Sequence, residues 1–106
     1  MIQQNADIIF TAGGGVNIGA WEACTEEGIK SIGVDMPSNQ FAPNTIITSA
    51  LKNIGIGVES TIKDLVNGDF TGGEAKVYDL SNGGVGFEKT NLLSDDLIKY
   101  VEGKIN

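Results

Sequence analysis

Three places in the chain combine residue types that can hold a polar ligand. Gly13, Gly14 and Gly15 follow the apolar run DIIFT after the single residue Ala12. Asp35 closes the run SIGVD, and Lys52 closes TIITSALK. A glycine turn lets a ligand approach the backbone closely and presents the free N–H groups of the next helix. A carboxylate accepts hydrogen bonds from hydroxyls, and an ammonium donates to oxygens; charged partners make stronger bonds than neutral ones. Each also has an ordinary structural use: a strand-to-helix turn, a turn-capping carboxylate, a solvated lysine. Their convergence on one edge of a sheet is what gives them joint meaning.

The elements that must position them follow from the pattern. Asp7–Thr11 reads as a buried strand, and a helix runs from an Asn17 cap to about Glu27, with Ile18, Trp21 and Cys24 at helical spacing. Gly28 stands where a helix takes its left-handed stop. Ser31–Asp35 is a second strand, and a loop with both prolines, Pro37 and Pro43, leads to a third at Thr45–Lys52. Ile54, Val58, Ile62 and Leu65 mark a second helix stopped by Gly68. Gly55 and Gly57 weaken it by about 1 kcal/mol each unless they pack closely on a neighbour. Ala75–Leu80 reads as a fourth strand and Val85–Glu88 as a short fifth, and Ser94 caps a last helix with Asp95 and Asp96 in its first turn. The order β-α-β-β-α-β-(β)-α predicts an α/β fold: a Rossmann-like three-layer sandwich with a mainly parallel sheet, covered by helices on both faces. In such sheets ligands bind beyond the carboxyl ends of the strands, where all three candidate features fall.

Composition removes several alternatives. The 106 residues carry 14 acidic side chains against 7 lysines, with no arginine and no histidine, for a net charge of −7. Such a chain is a poor phosphate-backbone binder, so no nucleic-acid partner is expected. Without histidine there is no imidazole base, no Ser-His-Asp triad and no His-ligated metal. The lone Cys24 cannot form an internal disulfide, no apolar run approaches a bilayer span, and MIQQNADIIF lacks the features of a signal peptide. Trp21 and Cys24 read as core, Phe41 as an anchor for its loop, and Glu26/Glu27 and Asp95/Asp96 as helix ends rather than a catalytic dyad. One enzyme reading stays open: a glycine turn with an acidic residue about 20 positions on is the mark of a dinucleotide site. The G-x-G-x-x-G spacing fails here, since counting from Gly13 puts Ile18 in the last position and Gly19 one further.

The ordered set ADIIFTAGGG, IGVD, FAPNT, TSALK, GDFTGG and NGGVG resembles the basic membrane protein family, substrate-binding lipoproteins of ABC transporters typified by the purine nucleoside receptor A proteins. The matches run from about Ala6 to Gly86. The resemblance implies one lobe of a two-lobed periplasmic-binding-protein type I fold, with the ligand in the cleft between lobes. It implies that residues 1–106 form a single domain, the C-terminal lobe, in which 81–106 crosses the hinge or swaps. It places ligand contacts at the glycine turn, Asp35 and Lys52, with Asp35 accepting from ribose hydroxyls and Lys52 donating to ribose oxygens. Members commonly carry D-x-D-Q where this chain has Asp35-Met36-Pro37-Ser38, so the second acidic group is missing. The implied parent is a binding protein rather than an enzyme, without a cofactor, that partners an ABC transporter permease and is lipid-anchored at the outer or periplasmic face of the cell membrane. The chain itself reads as a fragment whose uncovered edges favour self-association, and a ligand-sensing lobe of a transcription regulator is the remaining alternative.

Overall fold

The computed structural model describes residues 1–105. Three strands, β1 (Ile8–Phe10), β2 (Lys30–Asp35) and β3 (Ile46–Lys52), run parallel in that order, and β4 (Val85–Phe87) closes the sheet antiparallel to β3. Two helices interrupt the strands, α1 (Asn17–Glu26) and α2 (Ile54–Asn67), and α3 (Asp95–Ile105) ends the described chain. The fold is therefore the mixed α/β arrangement with a mainly parallel sheet that the pattern predicts.

Local chemistry fixes most boundaries. After α1, Gly28 takes φ +68°, its N–H bonds Thr25 O, and the Ile29 N–H reaches back to Cys24 O at 3.0 Å. This left-handed stop satisfies two orphan carbonyls of the last turn. Gly68 ends α2 in the same way, with φ +81° and Asp69 N–H on Asp64 O at 2.8 Å. Ser94 caps α3, its Oγ accepting from Leu97 N–H at 3.2 Å. Asn17 differs from expectation. It is already helical and buried, and its Oδ1 accepts from the Gly13 N–H at 2.9 Å, so it clasps the glycine turn instead of capping the helix.

The expected strand at Ala75–Leu80 does not form. β3's free edge is occupied by β4, with Lys52 opposite Val85 and Ala50 opposite Phe87. The residues before β4 fold on themselves instead. Asn82 Oδ1 accepts from Asp79 N–H at 2.9 Å and Gly84 N–H at 3.2 Å, its amide donates to Val77 O, and Asp79 Oδ1 accepts from Ser81 N–H at 2.8 Å. Asn and Asp side chains bonding the nearby backbone in this way compete with strand pairing. The short segment at Val85–Glu88 is real, as the antiparallel β4.

The apolar core is small: Ile9, Trp21, Cys24 and Ile46. Trp21 and Cys24 are buried as expected, and Phe41 stacks on Trp21 with ring centroids 5.8 Å apart, anchoring its loop. The surface measures 7343 Å², against about 5,700 Å² for a compact monomer of this mass. The radius of gyration is 17.0 Å, against about 13 Å for a closed domain of this length. The excess includes the stripe Ile54, Val58, Ile62 and Leu65 of α2, which is exposed throughout. Among the described residues no helix is long and apolar enough to cross a membrane.

Candidate functional site

Parallel pairing of β1, β2 and β3 brings the ends of all three strands to one edge. Asp35 lies opposite Leu51, one residue before Lys52. The two side chains meet there: Lys52 Nζ lies 3.2 Å from Asp35 Oδ1, with 59% and 52% of the side chains exposed. At that exposure the ion pair contributes no more than about 1 kcal/mol to stability.

The backbone at Asp35 is unusual. Its φ is +70°, and Met36 N–H closes a three-residue turn onto Val34 O at 2.9 Å. Turns of this sense are rare and strained, and glycine would occupy the position more cheaply. The turn tips the carboxylate off the end of the strand at the edge where Lys52 stands.

The glycine turn at the end of β1 is exposed, and no heavy atom lies within 4 Å of where a Cβ on Gly14 or Gly15 would sit. Gly14 has φ +64°. Gly13 has a different job: a Cβ there would lie 2.5 Å from Val16 Cγ2, and its N–H is already engaged by Asn17. The open backbone is thus Gly14 and Gly15. The structure joins Asp35 to Lys52 directly and sets the glycine turn on the same sheet edge.

Beside Lys52 opens a largely apolar cavity of about 620 Å³, lined by Ile54, Gly57, Val58, Tyr78 and Val85 among others. Tyr78 is wedged between helix and turn: its ring lies 3.5 Å from the Cβ position of Gly57, and its own Cβ lies 2.3 Å from that of Gly84. Of the two glycines in α2, only Gly57 therefore meets a close neighbour; nothing lies within 4 Å of the Gly55 position. The Tyr78 hydroxyl is buried without a hydrogen-bond partner among the described residues. The sequence pattern placed Tyr78 in a strand and so missed its role as a cavity wall.

A second group escaped the sequence pattern. Behind Asp35, the Glu88 carboxylate accepts from Ser49 Oγ at 2.7 Å, Ser38 N–H at 3.1 Å and Asn39 N–H at 3.2 Å. Ser38 and Ser49 are fully buried. The one available signal was Ser49, a hydroxyl within the otherwise apolar end of TIITSALK that needs a partner when buried; Ser38 opens the polar run Ser38-Asn39-Gln40 and gives none. Among the described residues no group of three or more Cys, Asp or Glu is arranged to hold a metal ion.

An open, mostly parallel sheet with an exposed glycine turn, a carboxylate and an ammonium at its carboxyl edge has its polar groups where sheets of this class take their ligands. The family model described as "ABC transporter substrate-binding protein PnrA-like" matches residues 1–106, and the chain belongs to that family, Bmp. Basic membrane protein A1 of Borrelia garinii subsp. bavariensis is 41% identical over 106 residues, covering 96% of this chain and 32% of the relative. Transcriptional activator protein med of Bacillus subtilis is 28% identical over 83 residues, 78% of this chain and 26% of that protein. The chain spans about a third of the length of the basic membrane protein relatives it matches. Among solved structures, a solute-binding protein of an ABC transporter system from Aeropyrum pernix K1 superposes with TM-score 0.72 at 30% identity, over 98% of this chain and 28% of that one. A transcriptional activator of the comK gene from Bacillus halodurans superposes with TM-score 0.87 at 23% identity, over 98% and 37%, a likeness of fold.

Proposed function

We propose that this chain is the C-terminal lobe of a solute-binding receptor of an ABC transporter, and that the receptor takes a purine nucleoside by its ribose. The observation that carries the reading is the Asp35–Lys52 pair. A strained, half-exposed carboxylate held 3.2 Å from an ammonium adds little to stability, so its placement is better explained by a ligand. A vicinal diol suits such a pair: its hydroxyls donate to Asp35, and its oxygens accept from Lys52. Gly14 and Gly15 offer backbone without side chains at the same edge, and the cavity beside Lys52 offers apolar cover. Family membership favours substrate binding over the dinucleotide enzyme reading.

The mechanism in this reading is closure of two lobes over the ligand, with the closed form presented to a permease. The receptor would be lipid-anchored on the outer or periplasmic face of the membrane. Calorimetry on the full-length receptor with guanosine, inosine, adenosine and ribose tests the assignment. We expect heat with at least one nucleoside and less with ribose; silence with all four would sink it.

The similarity to the activator med supports a second reading, a ligand-sensing lobe of a transcription regulator. The coding sequence upstream separates the two: a lipid-attachment signal favours the transporter receptor, and a helix-turn-helix favours the regulator.

A further inference from the structure

We infer that Glu88 is the residue that positions Asp35 for its ligand, an inference that rests on Asp35 being a ligand contact. Glu88 follows β4 and ties three segments together. Its N–H donates to Ser49 O at 2.9 Å and its carbonyl accepts from Thr48 Oγ1 at 2.7 Å, which continues the β3–β4 pairing one residue past the strand. Its Oε2 takes Ser49 Oγ from β3 and the Ser38 and Asn39 N–H groups from the loop that leaves Asp35. Ser38 N–H is shared between that carboxylate and Ser49 Oγ, the latter at 3.1 Å.

The chain from Glu88 to Asp35 is short and covalently tight. Ser38 Oγ donates to Met36 O at 2.9 Å, and Met36 N–H closes the turn on which Asp35 sits. One side of that turn is held by the β2–β3 ladder, Asp35 opposite Leu51. The other side is held by the loop that Glu88 clamps. Gly33 makes the clamp possible, because a Cβ there would lie 2.5 Å from Ser49 Oγ and 2.6 Å from Ser38 Cβ. A backbone held at φ +70° does not persist unless its surroundings over-determine it. Three hydrogen bonds to one carboxylate, two of them from backbone N–H groups of the adjoining loop, supply that determination.

Glu88 touches no ligand in this reading; it sets where the Asp35 carboxylate stands. The readout must therefore be hydroxyl recognition rather than affinity alone. The test measures binding of guanosine and 2′,3′-dideoxyguanosine to the full-length receptor and to its Asp35→Asn, Glu88→Gln and doubly substituted forms. A charge-assisted hydrogen bond lost with the hydroxyls is worth about tenfold or more in affinity. We expect the unsubstituted receptor to prefer guanosine by that margin, both single variants to lose most of the preference, and the double variant to lose no more than Asp35→Asn. Should Glu88→Gln fail to fold, Ser49→Ala, which removes one hydroxyl donor from the clamp, is expected to lose part of the preference. A variant at Glu88 or Ser49 that weakens both ligands equally, or neither, overturns the positioning role. An Asp35→Asn receptor that keeps the full preference overturns the ribose reading itself, and the inference with it, so the two failures have different signatures.

Discussion

The two halves of the sheet's carboxyl edge are built differently. Around Asp35, β2, β3 and the loop 36–41 are joined through fully buried Ser38 and Ser49 to one carboxylate, over a glycine with no room for a methyl group. Around Lys52, α2 keeps Ile54, Val58, Ile62 and Leu65 exposed and rests on the remainder through Tyr78 and the turn at 79–84. The first region is held by satisfied polar groups, two of them on fully buried serines, where a misplaced atom is costly. The second has apolar surface and a large cavity, and is tied by Asn53, whose N–H and amide donate to Gly84 O and Gly83 O at 2.8 Å, and by the Lys76–Asp64 ion pair. A carboxylate that must meet a hydroxyl at hydrogen-bond range needs the first kind of support. A long lysine on a mobile stem tolerates the second.

The largest test of this contrast deletes the same atoms on each side. Ile46 is fully buried, whereas Ile62 is 56% exposed. Truncating a buried isoleucine costs about 2–5 kcal/mol, and an exposed one changes stability by less than about 0.5 kcal/mol. Urea unfolding of Ile46→Ala and Ile62→Ala should show that separation. Similar losses would mean that α2 is as well packed as β3, and the contrast would fail.

A second pair adds one methyl group. In Gly33→Ala the new Cβ meets Ser49 Oγ at 2.5 Å and Ser38 Cβ at 2.6 Å, inside a sheet that cannot yield. Overpacking of this kind costs about 2–3 kcal/mol. In Gly84→Ala the new Cβ would lie 2.3 Å from Tyr78 Cβ and 2.7 Å and 2.8 Å from Tyr78 backbone C and Cα, so the turn itself must shift. We expect a cost of about 1–3 kcal/mol there, with faster amide exchange confined to residues 77–87, the turn and the strand it feeds. Global loss of protection in Gly84→Ala would show that Tyr78 is part of the rigid region.

The readable part of the sequence follows the same division. The strands at Ile8–Phe10, Lys30–Asp35 and Ile46–Lys52 were legible because β-branched runs ended in glycine, aspartate and lysine, and the stops at Gly28 and Gly68 because only glycine turns left-handed without cost. AKVYDL misled because alternation says nothing about whether a sheet edge is vacant; Asn82 and Asp79 decided the matter locally. The pairing of Asp35 with Lys52 followed from parallel topology, since strand ends in register must meet. Glu88 was illegible as a clamp because the pattern reads it only as the last residue of the strand Val85–Glu88, and the hydroxyl donor it needs is 39 residues away.

The buried side also carries a pH dependence. Cys24 is fully buried, and burial holds its thiol above the ordinary value of 9.0, against a smaller opposing hydrogen bond with Ser31. In the unfolded chain the thiol ionises at its ordinary value, while the folded chain keeps the proton. Above that pH the unfolded state binds fewer protons, so the contribution is fully present below about pH 9 and is lost as pH rises toward the folded value. Unfolding free energies between pH 7 and 10 should therefore fall more steeply for the unsubstituted chain than for Cys24→Ala. Parallel curves would place the thiol in contact with water and undo the dry-core assignment.

The smallest expected effect on stability falls on Asp35 itself. Asp35→Gly relieves a backbone at φ +70° that costs an L-residue about 1 kcal/mol, but it frees the unfolded chain and removes an exposed ion pair worth no more than about that amount. These contributions oppose each other, so the unfolding midpoint should hardly move. Ligand affinity of the full-length receptor should nevertheless fall by about tenfold or more, because a charged acceptor is gone. A large drop in stability would identify the aspartate as part of the scaffold that surrounds it. A drop in affinity alone would identify it as the reason the scaffold around it is rigid.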